Sequence, residues 1–310
     1  MNTHENVKTT SSLAQARALT LPPREAILQR APSVKQFWHS NAKLLESAWQ
    51  EWQKEESGSV FEPSIQLVDE QLSKAVEQAW QNPDQEVAVK NLWHEVAPGV
   101  FKAQFFNPAR LEELRYYLDA LAKTGIATRA PFGIVYNRRG AMLDPRSEGY
   151  LAAPGFQAFY NQLLDDYMRP IARLLMPEIH GFDSQTFGFS IEYQAGMDTS
   201  LQPHTDASAA TLNININLPE EQYEGSEVDF YDPITKHVKR LRFEPGEAML
   251  HRGSVPHAAQ PITKGTRNNM VLWLYGEKMQ IPVFNNVIEP KTAAERWAKP
   301  SNIKDKFAPF

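Results

Sequence analysis

The chain has 310 residues, enough for one large hydrophobic core or two modest ones. Hydrophobic residues make up 42% and charged residues 22%, and the net charge of −5 points to neither nucleic acid nor a membrane as a partner. The absence of cysteine excludes disulfides, thiolate metal sites and a cysteine nucleophile, and it fits a reducing, cytoplasmic setting.

The first residues lack the apolar stretch of a secretory signal. Residues 7–24 carry Lys8, Arg17 and Arg24 and no acid, a faint likeness to an organelle transit peptide, and read as a disordered leader. Ser33-Val34-Lys35-Gln36, after Pro32, has the form of a helix-opening capping box. Phe37, Trp38, Leu44, Leu45, Ala48, Trp49 and Trp52 then recur at three- and four-residue steps, which predicts one apolar helix face to about Glu56. Leu67, Val68, Leu72, Val76, Ala79 and Trp80 predict a second, ending near Asn82-Pro83. Tryptophans so spaced read as packing, so residues 1–95 read as leader and helical support.

"GVFKAQFF" at 99–106 predicts the first strand. Asn107-Pro108 open a helix that stops before Gly125, and another helix runs from about Pro154 to Met176. From about residue 184 short strand-like runs follow one another: "TFGFSIEY", "TLNININL", "EVDFYD", "HVKRLRF", "EAMLHR", "HAAQPI" and "NNMVLWLYG". Such spacing predicts a mainly β unit with flanking helices, an α+β chain built on a jelly roll over residues 96–280. The basic run at 236–243 alternates and reads as one solvated strand face. Trp297 and Phe307 mark residues 281–310 as a tail that docks.

His204 and Asp206 stand two residues apart, and on a strand such residues share a side. A second histidine must come from elsewhere, and His237, His251 and His257 are available. Two histidines and a carboxylate leave three positions of an octahedral metal open, the ligand set of non-haem iron(II) oxygenases. After His257, Lys264-Gly265 predict a tight turn, with Arg267, Asn269, Val271 and Trp273 returning on one face. In that hairpin Arg267 stands roughly 13–17 Å along from His257. A five-carbon diacid chelating the metal at one end can meet a guanidinium at the other.

His-x-Asp, a histidine about fifty residues on, and an arginine ten further resembles the iron(II)/2-oxoglutarate oxygenases, most of all their prolyl-hydroxylase-like branch. "EYQAGMDTSLQPHTD", "TLNININL", "YEGSEVDFYD", "PGEAMLHRGSVPHAAQPITKGTRNN" and "VLWLYG" carry the likeness. It covers about residues 95–276 and departs at Gly225-Ser226, where many relatives have two glycines. The resemblance implies a double-stranded β-helix, with His204, Asp206 and His257 as iron ligands. It implies Arg267 on the far carboxylate of 2-oxoglutarate and Tyr193 facing that co-substrate. Iron(II) is the implied cofactor, 2-oxoglutarate and O₂ the co-substrates, and ascorbate a stimulant.

The implied reaction hydroxylates an unactivated C–H bond and releases succinate and CO₂. The carboxylate ligand Asp206 favours hydroxylation over halogenation. The expected substrate is an amino-acid-like small molecule, with a prolyl or other side chain of a protein or peptide as the rival. Arg129, Arg138 and Arg139 stand where an acidic substrate group would enter, and also read as solvated loop residues. Two other classes compete. A zinc hydrolase fits the ligands but has no use for Arg267. A catalytically silent metal-binding β-sandwich leaves four ligand-type residues idle.

"NININ" then gains a reading. Thr211, Asn213, Asn215 and Asn217 share the face that looks into the pocket, and Leu212, Ile214, Ile216 and Leu218 share the packed face. Asn213 and Asn215 are expected beside the co-substrate, while Asn217 ends the strand. His251, Asn269 and Trp273 are expected to touch substrate or support the ligands. The sequence carries no signal of oligomeric state.

Overall fold

In a computed structural model the described residues are 10–55, 62–131, 140–197, 200–283, 291–300 and 304–309. The strands are β1 (His94–Ala97), β2 (Val100–Gln104), β3 (Gln185–Gln194), β4 (Leu201–His204), β5 (Ala210–Asn215), β6 (Glu224–Gly225), β7 (Val228–Tyr231), β8 (Val238–Leu241), β9 (Glu247–Arg252), β10 (His257–Ala259), β11 (Ile262–Lys264) and β12 (Thr266–Tyr275). A larger sheet has the order β1-β2-β9-β5-β12-β3, and a smaller one the order β4-β10-β7-β8. From β3 onward the chain crosses repeatedly between them. β3, β5, β9 and β12 lie in the larger sheet, and β4, β7, β8 and β10 in the smaller. That crossing makes the fold a double-stranded β-helix, the expected jelly roll.

Alternation sorts the larger sheet into two faces. Leu212 lies opposite Leu250 and Leu272, and all three are buried against the helices. Phe187, Phe189, Ile191, Tyr193, Val271 and Trp273 project to the other face, between the sheets.

The helical layer follows from the tryptophan spacing. Helix Pro32–Glu55 buries Trp38, Trp49 and Trp52. Helix Glu70–Gln81 is capped by Asp69, whose carboxylate accepts from the backbone N–H groups of Gln71 and Leu72. Helical residues run from Pro154 to Leu175 with one widened turn at Leu163–Met168. Pro170 has no N–H to offer the preceding turn, and the Trp80 indole donates instead to the Asp166 carbonyl at 2.9 Å. In the tail, Trp297 is buried edge-on to Trp80, and its indole donates to Glu86 at 3.0 Å. Phe307 is half exposed.

Several expectations need correction. Helix Pro32–Glu55 begins at Pro32, so Ser33 lies within its first turn rather than capping it. The supposed leader contains helix Ser12–Arg17, where Leu13 is buried and its N–H donates to Glu51. The first strand is β1, before "GVFKAQFF", and β4, the strand expected to carry both His204 and Asp206, ends at His204. The basic strand β8 is a solvated edge, and its Arg240 forks onto Asp229 at 2.7 and 2.8 Å. No described helix is long and apolar enough to cross a membrane.

Candidate active site

Strand pairing builds the first half of the site. In the smaller sheet His257, the first residue of β10, lies directly opposite His204, the last residue of β4. The two imidazoles are 4.3 Å apart between ring centres. Asp206 lies beyond the end of β4, so strand alternation does not aim it, contrary to the sequence reading. A loop does. The Asp206 N–H donates to the Gly253 carbonyl at 2.9 Å, and the Gly253 N–H to the Ala209 carbonyl at 3.3 Å. Asp206 Oδ1 then stands 3.5 Å from His204 Nε2 and 3.9 Å from His257 Nε2.

One ligand atom from each of His204, Asp206 and His257 lies within 4.8 Å of the others. His204 Nδ1 is 2.7 Å from the Gln202 carbonyl and His257 Nδ1 is 3.0 Å from that of Val255. A carbonyl only accepts, so each Nδ1 is assigned the proton, and both Nε2 lone pairs are left for a shared ion. Burial, with His251 beside it, lowers His257 to about 4 and keeps it neutral. Burial alone would raise Asp206. A proton on His204 Nε2, positive charge on the His257 and His251 rings, and the Thr211 hydroxyl outweigh it and hold the carboxyl at about 2. For His204, burial lowers the imidazole but Asp206 and the Gln202 carbonyl raise it further. Once an ion displaces the proton from His204 Nε2, two imidazole nitrogens and one carboxylate oxygen suit a divalent iron.

Gly253 is held close. A Cβ there would come 1.9 Å from the Ser208 carbonyl oxygen. Gly253→Ala must therefore displace the loop that aims Asp206. We expect a stability loss of about 1–3 kcal/mol, as for other overpacked sites. Weakened metal binding should accompany it, read by thermal melting and by titration with Co(II).

Arg267 is not placed by a hairpin with β10, as the sequence suggested. β12 pairs with β3 and β5, whereas β10 belongs to the opposite sheet. The intervening β11 pairs with β6 as the chain crosses over. Gly265 sits at φ +72°, where a Cβ would come 2.4 Å from the Gln222 carbonyl. Arg267 thus reaches into the site from the sheet facing His257. It lies opposite Tyr193, with its guanidinium 4.5 Å above that ring, and is 1% exposed. Nη1 donates to the Ser226 carbonyl. Ser226 itself is at φ +61°, directly after Gly225 at +78°, which accounts for a preference for glycine pairs at this bend. Arg267 Nε is buried with no partner. A buried cationic donor lacking an acceptor fits an anionic ligand that the protein alone does not supply.

Both halves border one cavity of about 250 Å³. His204, Asp206, His257, Arg267, Tyr193, Asn213, His251 and Trp273 line it, with Thr211 and an apolar wall including Phe189, Ile191 and Val271. Asn269 is behind Asn213, to which its amide donates at 2.5 Å. Asn215 is fully buried and does not border the cavity; its amide donates to Asn217 at 3.1 Å. Asn217 lies beyond the end of β5, donates to the Thr266 carbonyl and accepts from the Asn268 N–H. His251 is 2% exposed and its Nε2 is 3.8 Å from Asp206 Oδ2, outside the three-residue group. His237 is exposed, away from the cavity. Arg129 is buried and donates to the Glu148 carbonyl, while Arg138 and Arg139 lie outside the described residues. Sequence reasoning missed the Thr211 bond to Asp206, the Gly253 clamp and the Ser226 carbonyl. Only the glycine in "HRGSVPH" signalled any of them.

No protein-family model matches the chain. Two Arabidopsis thaliana proteins do, each named a 2-oxoglutarate and iron-dependent oxygenase domain-containing protein. ICU11 is 29% identical over 191 residues, covering 57% of this chain and 45% of its own length. CP2 is 30% identical over 208 residues, covering 62% and 49%. The human multifunctional procollagen lysine hydroxylase and glycosyltransferase LH3 is 31% identical over 131 residues, covering 41% of this chain and 17% of LH3. The matches span about half the length of the two plant relatives. Over these stretches the chain is similar to proteins of the iron(II)/2-oxoglutarate oxygenase family. Iron(II) is the cofactor of that family, with 2-oxoglutarate and O₂ as co-substrates.

Proposed function

We propose that the protein binds iron(II) through His204, Asp206 and His257, binds 2-oxoglutarate with its far carboxylate on Arg267, and hydroxylates an unactivated C–H bond of an amino-acid-like small molecule. One observation carries this reading. A buried arginine with an unpartnered Nε borders the same cavity as a two-histidine, one-carboxylate cluster. A zinc hydrolase has no role for that arginine.

Each residue's part follows from its surroundings. The carbonyls of Gln202 and Val255 fix the two imidazoles with Nε2 toward the metal position. The Tyr193 ring and the Ser226 carbonyl fix the guanidinium, so its unpartnered Nε is held in place before the co-substrate arrives. Asn213, held by Asn269, adds a fixed dipole to the wall. Phe189, Val271 and Trp273 exclude water from the space between. When bound, iron(II) supplies the O₂ chemistry that couples decarboxylation of 2-oxoglutarate to C–H oxidation.

A second reading places the substrate in a protein side chain. The likeness to LH3, named a procollagen lysine hydroxylase, supports it. Succinate release with iron(II), ascorbate and 2-oxoglutarate, screened against free amino acids and peptides, separates the two. Stimulation by a free amino acid is the expected result. Stimulation by peptides alone would favour the second reading. No succinate at any iron loading would favour a silent scaffold, and hydrolysis with zinc instead would favour a hydrolase.

A further inference from the structure

We infer that Thr211 is a positioning residue that makes Asp206 a one-oxygen metal ligand. The inference rests on the metal-centre reading of His204, Asp206 and His257. The two oxygens of Asp206 face different ways. Oδ1 looks toward His204 and His257, while Oδ2 receives the Thr211 hydroxyl at 2.6 Å. Ser208 Oγ lies 2.9 Å from Thr211 Oγ1. An ionised carboxylate only accepts, so Thr211 donates to Asp206, and Ser208 in turn donates to Thr211. Thr211 and Ser208 are each 2% exposed, which keeps water from substituting for either hydroxyl.

His251 does not share this role. Its Nε2 is 3.8 Å from Oδ2, too far for a hydrogen bond, and its Nδ1 is engaged by the Arg252 carbonyl at 2.9 Å. Thr211 is held firmly itself. It lies in β5 with register partners on both sides, His251 in β9 and Trp273 in β12. Its branched side chain has few rotamers to choose from. The consequence concerns coordination number. A carboxylate free to turn can grip a metal with both oxygens and cover a position that the co-substrate or O₂ requires. With Oδ2 tied to Thr211, only Oδ1 is presented and three positions stay open.

The test uses the whole chain and Co(II) alone as the probe. Affinity and visible absorption are measured for the parent chain, Thr211→Val, Thr211→Ser and Ser208→Ala, each checked for folding by circular dichroism. Thr211→Val keeps the shape and removes the donor. It should weaken Co(II) binding roughly 10–100-fold, as loss of other supporting groups does, and shift the absorption bands through a changed coordination number. Thr211→Ser should restore both. Ser208→Ala should shift the bands in the same direction by less, and it carries the test if the valine variant does not fold. Parent-like affinity and spectrum in Thr211→Val, or in Ser208→Ala where that variant stands alone, would overturn the inference. So would equal loss in the valine and serine variants, which would mark packing rather than the hydroxyl. If the parent chain itself binds no Co(II), the metal-centre reading falls and this inference with it, an outcome distinct from a parent that binds and a valine variant that matches it.

Discussion

Arg267→Leu should raise the 2-oxoglutarate concentration needed for half-maximal turnover about ten- to a hundredfold and leave iron binding intact. The magnitude comes from the bond that is lost. A hydrogen bond to a charged partner contributes about 1.5–3 kcal/mol, and each 1.4 kcal/mol is a factor of ten in binding. The fold should tolerate the change. Arg267 is fully enclosed and burial already lowers its pKa, so the charge is held against a desolvation cost. Leucine is shorter than arginine and leaves the Ser226 carbonyl without its donor, a cost of about 1–3 kcal/mol that a folded domain can absorb. Arg267→Lys should fall between, because an ammonium keeps the charge but cannot offer two parallel donors or stack its plane on Tyr193. The check is succinate formed against 2-oxoglutarate concentration, with iron content and melting temperature measured on the same samples. An unchanged requirement in the leucine variant would sink the assignment of the far carboxylate to Arg267.

Where local pattern sets structure, the sequence was readable. The spacing of Trp38, Trp49 and Trp52 gave one buried helix face, and the alternation of Leu212 with Asn213 gave the two faces of β5. The unreadable elements are those without such a pattern. β1 is a short, polar, largely exposed edge. β4, the strand on which His204 and Asp206 are read, also lies at a sheet edge and ends at His204, a boundary no local pattern marks. The ligand residues were legible as residue types, yet their convergence is not local. Asp206 is aimed by Gly253, whose contact closes a loop of about fifty residues, and Arg267 by strands on either side that are distant in the chain. Arg267 comes within reach of the metal position by a different route from the predicted hairpin, because β10 and β12 lie in opposite sheets.

His257→Ala should abolish stoichiometric iron binding, whereas His251→Ala should retain it, although the two histidines are six residues apart and their rings lie 4.7 Å from each other. The distinction is one of direction. His257 aligns with His204 across a strand pair, and its Nδ1 is anchored on Val255, so Nε2 points at the position that Asp206 Oδ1 also faces. His251 comes from the other sheet, and its Nε2 approaches the oxygen that Thr211 already binds. A fourth protein ligand would also leave only two open positions, too few for a chelating diacid and O₂ together. Removing His257 should thus cost more than the roughly 10–100-fold that loss of a supporting group costs. Removing His251 should cost less than tenfold in affinity. It should still lower the melting temperature, because a 2%-exposed ring leaves a cavity beside Phe230. Iron per chain after anaerobic loading, with melting curves for both variants, reads the difference. Equal iron loss would undo the choice of His257 over His251. Loss in His251→Ala alone would move the ligand to β9 and with it the open positions, so the co-substrate would no longer lie between the metal and Arg267.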